Sequence, residues 1–343
     1  MYSFYSKKYY LFLALIMFVV LLQSCSLNKI AKSNNKKEFQ TLHYLNSISG
    51  KQTIAGIHNR EPNAQPGKWT EEVFKTSGKY PGLWSGDFLF QSENIDNRKV
   101  MIDEALKQWK KGSVINIMWH ACNPAKTEPC GWDSAGVLSK LNDAQWKELI
   151  TDGTPLNSKW KGMMDEVAVH LQFLKDNGVE ILWRPLHEMN QGVFWWGGRR
   201  GADGTRKLYQ ITHDYLTNVK GLTNLIWIWD IQDFGTLSKD VIDYNPGDAY
   251  WDVAALDVYD DKSGYSTEKY NTMLSVCNGK PIAVGECQKF PTAEQLLAQP
   301  KWTFFMCWSE LEFSANTAEQ IKRIHNADNI ITLDKMPGWK QKK

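Results

Sequence analysis

A histidine and a glutamate, His187-Glu188, stand at the end of a short apolar run, Val179 to Pro185, and are followed by the aromatic residues Phe194-Trp195-Trp196. The run is bounded by Asn177-Gly178, a turn signal, and its length suits a buried strand. Glu188 is thereby expected just beyond a strand's carboxyl end. A second glutamate, Glu286, closes a similar run, Pro281-Ile-Ala-Val-Gly. Two carboxyl groups in one mouth can divide the work of cleaving a glycosidic bond. One protonates the leaving oxygen, and the other attacks the anomeric carbon or activates water. Their settings differ as such a division requires. His187, Phe194, Trp195 and Trp196 hem Glu188, and apolar surroundings raise a carboxyl pKa. Asp257 and Tyr259 end the strand before that of Glu286, where a tyrosine hydroxyl would hold a nucleophile ionised and oriented. A surface loop acid is the competing reading of Glu286 alone; pairing with Glu188 favours chemistry.

Elements that deliver such groups recur along the chain. Apolar runs of strand length occur at Thr53 to Ile57, Gly82 to Phe88, Val114 to Trp119, Val179 to Pro185, Asn224 to Trp229, Val253 to Val258, Pro281 to Gly285 and Thr303 to Trp308. Amphipathic segments of helix length lie between several of them: Arg98 to Lys111, Trp160 to Asp176, Arg206 to Lys220, Glu268 to Val276 and Thr317 to His325. Alternation of this kind implies a parallel sheet covered by helices, and eight repeats let it close into an α/β (β/α)8 TIM barrel. Working residues of such barrels sit at the carboxyl ends of the strands. Those positions hold His58, Asp87, His120, Glu188, Asp230, Asp257, Tyr259, Glu286, Trp308 and Glu310. Helix capping is an equally good reading of Asp87 and Asp230, but it covers the glutamates poorly. The long connection Ala121 to Lys159, with Trp132 and Trp146, reads as a cleft wall with a short helix around Ala144 to Ile150. Most of the sixteen tryptophans should be core. Trp195, Trp196 and Trp308 are the best candidates for stacking on sugar.

The amino terminus carries Lys7 and Lys8, an apolar stretch Leu11 to Leu22, and Leu22-Gln23-Ser24-Cys25. This reads as a lipoprotein signal peptide over residues 1–24, with Cys25 the lipidated first residue of the mature chain. An uncleaved anchor competes, but the apolar stretch is short for a full crossing. Residues 25–38 read as a lipidated, flexible tether and 39–343 as one catalytic domain. The expected location is extracytoplasmic, on a bacterial outer membrane or cell surface, with the membrane met through the lipid alone. Without the leader the 40 basic residues become 38, equal to the acidic ones. That balance lacks the basic footprint of a nucleic-acid binder. Outside the cytoplasm Cys122 and Cys130 are candidates for a short loop disulfide, with Cys287 and Cys307 as buried thiols. No C-x-x-C or His-rich spacing accompanies them, so no metal is expected.

The chain from about residue 50 to 339 resembles glycoside hydrolase family 26. Carrying the resemblance are Ser113-Val-Ile-Asn-Ile-Met-Trp-His-Ala-Cys-Asn-Pro, Trp183-Arg-Pro-Leu-His-Glu-Met-Asn, Phe194-Trp-Trp-Gly, Asn224-Leu-Ile-Trp-Ile-Trp, Leu256-Asp-Val-Tyr, Lys280-Pro-Ile-Ala-Val-Gly-Glu and Phe304-Phe-Met-Cys-Trp. The resemblance implies a retaining enzyme with Glu188 as acid/base and Glu286 as nucleophile. It implies that His187 tunes the acid and meets the sugar, that Tyr259 hydrogen-bonds the nucleophile, and that His120, Asp252, Asp257 and Trp308 line the subsites. No cofactor is implied. The expected activity is that of an endo-β-1,4-mannanase on mannan, galactomannan or glucomannan. Alternatives are another β-glycanase of the family, on mixed-linkage glucan or xylan, an exo-acting mannobiose-releasing enzyme, and a non-catalytic glycan-binding lipoprotein. One departure stands out: the family's mannanases often have tryptophan five residues after the acid/base. Here that position is Val193, and Gln191 interrupts the usual Asn-Gly order.

Overall fold

In the computed structural model, which describes residues 39–339, eight parallel strands close on themselves with helices in the connections. They are β1 (Thr53–His58), β2 (Leu83–Asp87), β3 (Val114–Trp119), β4 (Ile181–Pro185), β5 (Leu225–Gln232), β6 (Val253–Val258), β7 (Ile282–Cys287) and β8 (Trp302–Cys307). Neighbours pair in chain order, and β1 pairs with both β2 and β8, which closes the expected (β/α)8 barrel. Every strand overlaps its expected apolar run. The largest difference is at β5, which continues to Gln232 and so takes Asp230 into the ladder. The signal peptide, the tether and Cys25 lie outside the described residues.

Alternation along the strands sorts side chains into two layers. Leu182, Ile226, Ile228, Val253, Ala255, Ala283, Phe304 and Met306 fill the barrel interior. A helix over Gln40–Ile48 brings Leu45 and Ile48 into this cluster. It is tied there by Glu180, which accepts the backbone N–H groups of Gln40 and Thr41 at 3.1 and 2.8 Å. The outer layer, between strands and helices, is rich in large rings; Trp119 and Trp160, for example, stack at 4.9 Å. Tryptophan abundance is therefore mainly a property of this layer, as expected for rings with so much area to bury.

One irregularity decides where Glu286 points. In β7, Ala283 faces the interior while Ile282 and Val284 face outward. Strict alternation would send Glu286 outward with them. The β6–β7 register shifts between Leu256 and Asp257, with Leu256 opposite Val284 but Asp257 opposite Glu286. Gly285 is the extra residue of this bulge, a device that re-aims the next side chain. Glu286 consequently turns into the mouth. A Cβ at residue 285 would lie 2.8 Å from Asp257 Oδ1 and 2.9 Å from Ala255 Cβ. Gly285→Ala is expected to cost ~2 kcal/mol through this overpacking. In urea, the unfolding midpoint should fall with the slope unchanged.

Candidate active site

Strand β4 delivers two groups to the mouth. Arg184 lies within it, and Glu188 follows three residues beyond its end. The chain between them is strained: Leu186 and Glu188 both adopt left-handed backbone, with φ of 51° and 49°. Such conformations cost of order 1–3 kcal/mol each and persist only where neighbours over-determine them. Here Asp230 does so. Its Oδ1 accepts the Glu188 N–H at 2.9 Å, and its carbonyl accepts that of Met189 at 3.2 Å.

Arg184 is buried, and its guanidinium donates to three carboxylates. Nε reaches Asp230 Oδ2 at 2.8 Å, Nη1 reaches Glu286 Oε2 at 2.9 Å, and Nη2 reaches Asp257 Oδ2. Opposite charges this close raise the arginine well above its ordinary range, against the effect of burial. The other oxygen of Glu286 accepts from the Tyr259 hydroxyl. An oxygen of Glu188, one of Asp257 and one of Glu286 lie within 4.8 Å of one another. That clustering would suit a cation, and the guanidinium already supplies the positive charge.

The two glutamates differ electrostatically. Burial pushes Glu188 well above the ordinary carboxyl range, and the charges of Glu286 and Asp230 add to the shift. Glu286 is also raised by burial, but Arg184 and the Tyr259 hydroxyl favour its charged form. Glu188 is thus the better proton holder and Glu286 the better anion. An oxygen of each lies within 4.8 Å of one of the other, a proximity compatible with the close carboxyl pair of retaining glycosidases.

Around these carboxyls lies a cleft of ≈ 550 Å³, lined by residues at or just beyond the carboxyl ends of all eight strands. His120 and His187 form one side, their rings 4.4 Å apart and edge to face. The Asp87 carboxylate accepts from His120 Nδ1 at 2.5 Å and from its backbone N–H at 3.0 Å. Burial would raise Asp87, but His120 overrides it and holds the carboxyl at about 2. An ionised Asp87 fixes the hydrogen of His120 on Nδ1, leaving Nε2 as the second ring nitrogen. His187 is pushed well below the ordinary histidine range by burial, next by His120 and Arg184, and is neutral. Trp308 lines the cleft and stacks on His58 at 4.2 Å. Trp132, 54% exposed, extends the aromatic face with Phe90 and Phe194. It sits on the connection after β3, which a Cys122–Cys130 disulfide pins.

Glu188, Glu286, His120, His187, Tyr259 and Trp308 are therefore brought together. Four other expected positions are not on the cleft surface. Trp195 and Trp196 are 2% and 0% exposed; their indole N–H groups donate to the carbonyls of Ala121 and His187. The loop folds so that Phe194 faces the cleft and Trp196 stacks beneath it at 4.4 Å. Asp257 is fully buried in the Arg184 cluster and supports Glu286 without lining the cleft. Asp252 stands immediately before β6, at the opposite end of the barrel, where its carboxylate accepts the Trp227 N–H at 3.0 Å. A parallel barrel presents only carboxyl ends at its mouth, so Asp252 does not reach the site.

Sequence reasoning gave Arg184 no role and left Asp230 equally suited to capping. An arginine next to the end of an otherwise apolar strand was the available signal, because a charge buried there requires partners. Gln191 and Gln232 also join the site: one Gln191 amide group donates to Glu188 Oε2 and, at 2.5 Å, to Gln232 Oε1. Cys287 and Cys307 are buried free thiols 3.5 Å apart, and Cys277 is buried too.

Comparison with known proteins agrees with this geometry. Residues 31–335 match the model of glycosyl hydrolase family 26. A mannan endo-1,4-beta-mannosidase of Thermothelomyces thermophilus is 31% identical over 318 residues, which are 86% of this chain and 60% of that protein. Mannan endo-1,4-beta-mannosidase A of Piromyces sp is 30% identical, covering 77% of this chain and 43% of that protein. The chain thus spans less than two thirds of these curated relatives. Among solved structures, that of GH26A from Muricauda sp. MAR_2010_75 superposes with a TM-score of 0.80 at 35% identity, covering 86% of this chain and 95% of that one. A beta-mannanase from a symbiotic protist of the termite Reticulitermes speratus, complexed with gluco-manno-oligosaccharide, gives 0.75 at 28% identity, covering 86% and 93%. With the fold, the paired glutamates and the match across most of its length in agreement, the chain belongs to glycosyl hydrolase family 26.

Proposed function

We propose that this protein is a retaining endo-β-1,4-mannanase in which Glu286 is the nucleophile and Glu188 the acid/base. The observation that carries this reading is the close pair of buried carboxyls, one held toward its anionic form by Arg184 and Tyr259 and the other raised by burial. Glu286 attacks the anomeric carbon as the bond to the leaving oxygen breaks, and Glu188 gives its proton to that oxygen. A water then loses a proton to Glu188 while its oxygen displaces Glu286 from the sugar. His187, which is neutral, and His120 present ring nitrogens to sugar hydroxyls, and Trp308 and Trp132 offer ring faces for pyranose stacking. Mannan-type substrates are supported by the named activities of the fungal relatives and by the oligosaccharide bound in the termite-symbiont structure. A cleft lined by the carboxyl ends of all eight strands suits a polymer running across the mouth, which supports endo action.

We also infer a lipid anchor at Cys25 that keeps the enzyme outside the cytoplasm, from Lys7, Lys8, the apolar stretch and Leu22-Gln23-Ser24-Cys25. Radiolabelled palmitate should enter the expressed full chain but not its Cys25→Ala variant. Equal labelling of both would contradict the anchor.

Purified protein should shorten galactomannan chains internally, so that viscosity falls well before reducing ends accumulate. Loss of mannobiose from chain ends without that fall would favour exo action, and no cleavage would defeat the reading. Replacing Glu188 by alanine should slow galactomannan hydrolysis about 10²–10⁴-fold, the usual share of a general acid. The first half-reaction on an aryl β-mannobioside with an activated leaving group, which needs little protonation, should lose far less. Equal losses on both would argue against the acid role.

A further inference from the structure

The acid/base candidate has a neighbour whose arrangement the reaction scheme leaves unused. Glu188 Oε2 accepts a hydrogen from the Gln191 side-chain amide, and the same amide nitrogen donates to Gln232 Oε1 at 2.5 Å. Both hydrogens of one NH2 group are therefore committed, which fixes the orientation of the amide. Gln191 is half-buried at the edge of the cleft, and its loop is tied down at several points. Its backbone N–H donates to the Glu188 carbonyl at 2.8 Å. Asn190, the preceding residue, grips Gln232 in both directions, accepting its N–H at 2.8 Å and donating to its carbonyl at 2.9 Å. On the far side, Lys140 Nζ donates to the carbonyls of Gly192, Val193 and Phe194. The amide is thus a preset fixture of the mouth, held by β5 on one side and by Lys140 on the other.

We propose that Gln191 is a positioning residue for Glu188, its amide holding Oε2 as an acceptor so that the proton passed to the leaving oxygen sits on Oε1. This rests on the proposed assignment of Glu188 as acid/base. An acceptor role for Oε2 is the natural one for a carbonyl oxygen, and it leaves the hydroxyl on the other atom. After the proton has gone, the same amide stabilises the carboxylate, which is the base of the second half-reaction. Gln191 therefore sets the orientation of the group in both steps and restrains its affinity for the proton.

That restraint acts among strong opposing charges. Facing Glu188 are Arg184 from β4, Asp230 from β5 and Asp233 just after it, Asp257 from β6 and Tyr259 just after it, and Glu286 from β7. Arg184 is the cation among them, and its donors are engaged with Asp230, Asp257 and Glu286. Gln191 is the side-chain donor seen on Glu188 itself among the described residues. Loss of this donor removes a stabilising contact from the ionised form, so the Glu188 pKa must rise.

The test is a carbon-13 titration of glutamate side chains in the full chain, wild type and Gln191→Ala, with the Glu188 signal assigned by its disappearance in Glu188→Gln. The Glu188 midpoint is expected to move up by about one pH unit in Gln191→Ala, the effect of one lost hydrogen bond to a charged group. Gln191→Glu, which replaces the donor by a carboxylate, should raise it further. On galactomannan the alkaline limb of the kcat/KM profile should move the same way in Gln191→Ala, with kcat falling more than KM changes. An unmoved or lowered midpoint in both variants would overturn the inference. Because the titration needs no substrate, it stands apart from galactomannan hydrolysis by the wild type, whose absence would defeat the functional reading instead.

Discussion

A single buried guanidinium organises this mouth. Arg184 of β4 is neutralised by Asp230 of β5, Asp257 of β6 and Glu286 of β7, so that four consecutive strands meet on one charge. Removing the guanidinium from such a buried cluster leaves its carboxylates without compensation, typically at 3–5 kcal/mol. The geometry of the site inherits that constraint. Asp230 divides its carboxylate, giving Oδ2 to Arg184 and Oδ1 to the Glu188 N–H. The left-handed turn that aims Glu188 and the ion pair that aims Glu286 are therefore parts of one structure.

Charge balance within the cluster also explains the different characters of the glutamates. One positive charge cannot neutralise three carboxylates in a buried site. Burial, and then the crowding of Asp230 and Glu286, raise Asp257 well above the ordinary range in spite of Arg184. Glu286 keeps two direct donors, Arg184 and Tyr259, and these favour its anion. Glu188 lies outside the reach of the guanidinium's donors and feels the surplus negative charge mainly as repulsion. The charge balance thus favours the proton on Glu188 and the negative charge on Glu286, and each state stabilises the other. Because the two titrate together, the apparent values in a pH profile belong to the pair.

Much of this was legible from residue types. Apolar runs separated by amphipathic segments define the barrel, since periodicity responds to burial alone, and the strand-end glutamates follow from the barrel's polarity. What periodicity cannot supply is local geometry. Strict alternation would aim Glu286 outward, and the Gly285 bulge reverses it through a register shift that depends on the neighbouring strand. Trp195 and Trp196 look like a sugar platform in the sequence, but each indole finds a backbone carbonyl, and it is the buried Phe194 that borders the cleft instead. Asp252 failed for a topological reason: it is one residue short of β6 and so at the wrong end of the barrel. Arg184 was visible as a charge in an apolar strand, yet its partners come from 46, 73 and 102 residues away, beyond any local pattern.

In the proposed mechanism Glu286 forms the covalent bond to sugar while Glu188 handles the proton. Its most direct measurement uses the Glu188→Ala variant, in which the second half-reaction lacks its base, with an activated aryl β-mannobioside as substrate. Intact-mass analysis after rapid acid quenching should show protein carrying one mannobiosyl unit, and peptide mapping should place it on Glu286. A quenched protein of unchanged mass, with product released in the inverted configuration, or a label on another carboxyl, would contradict the account.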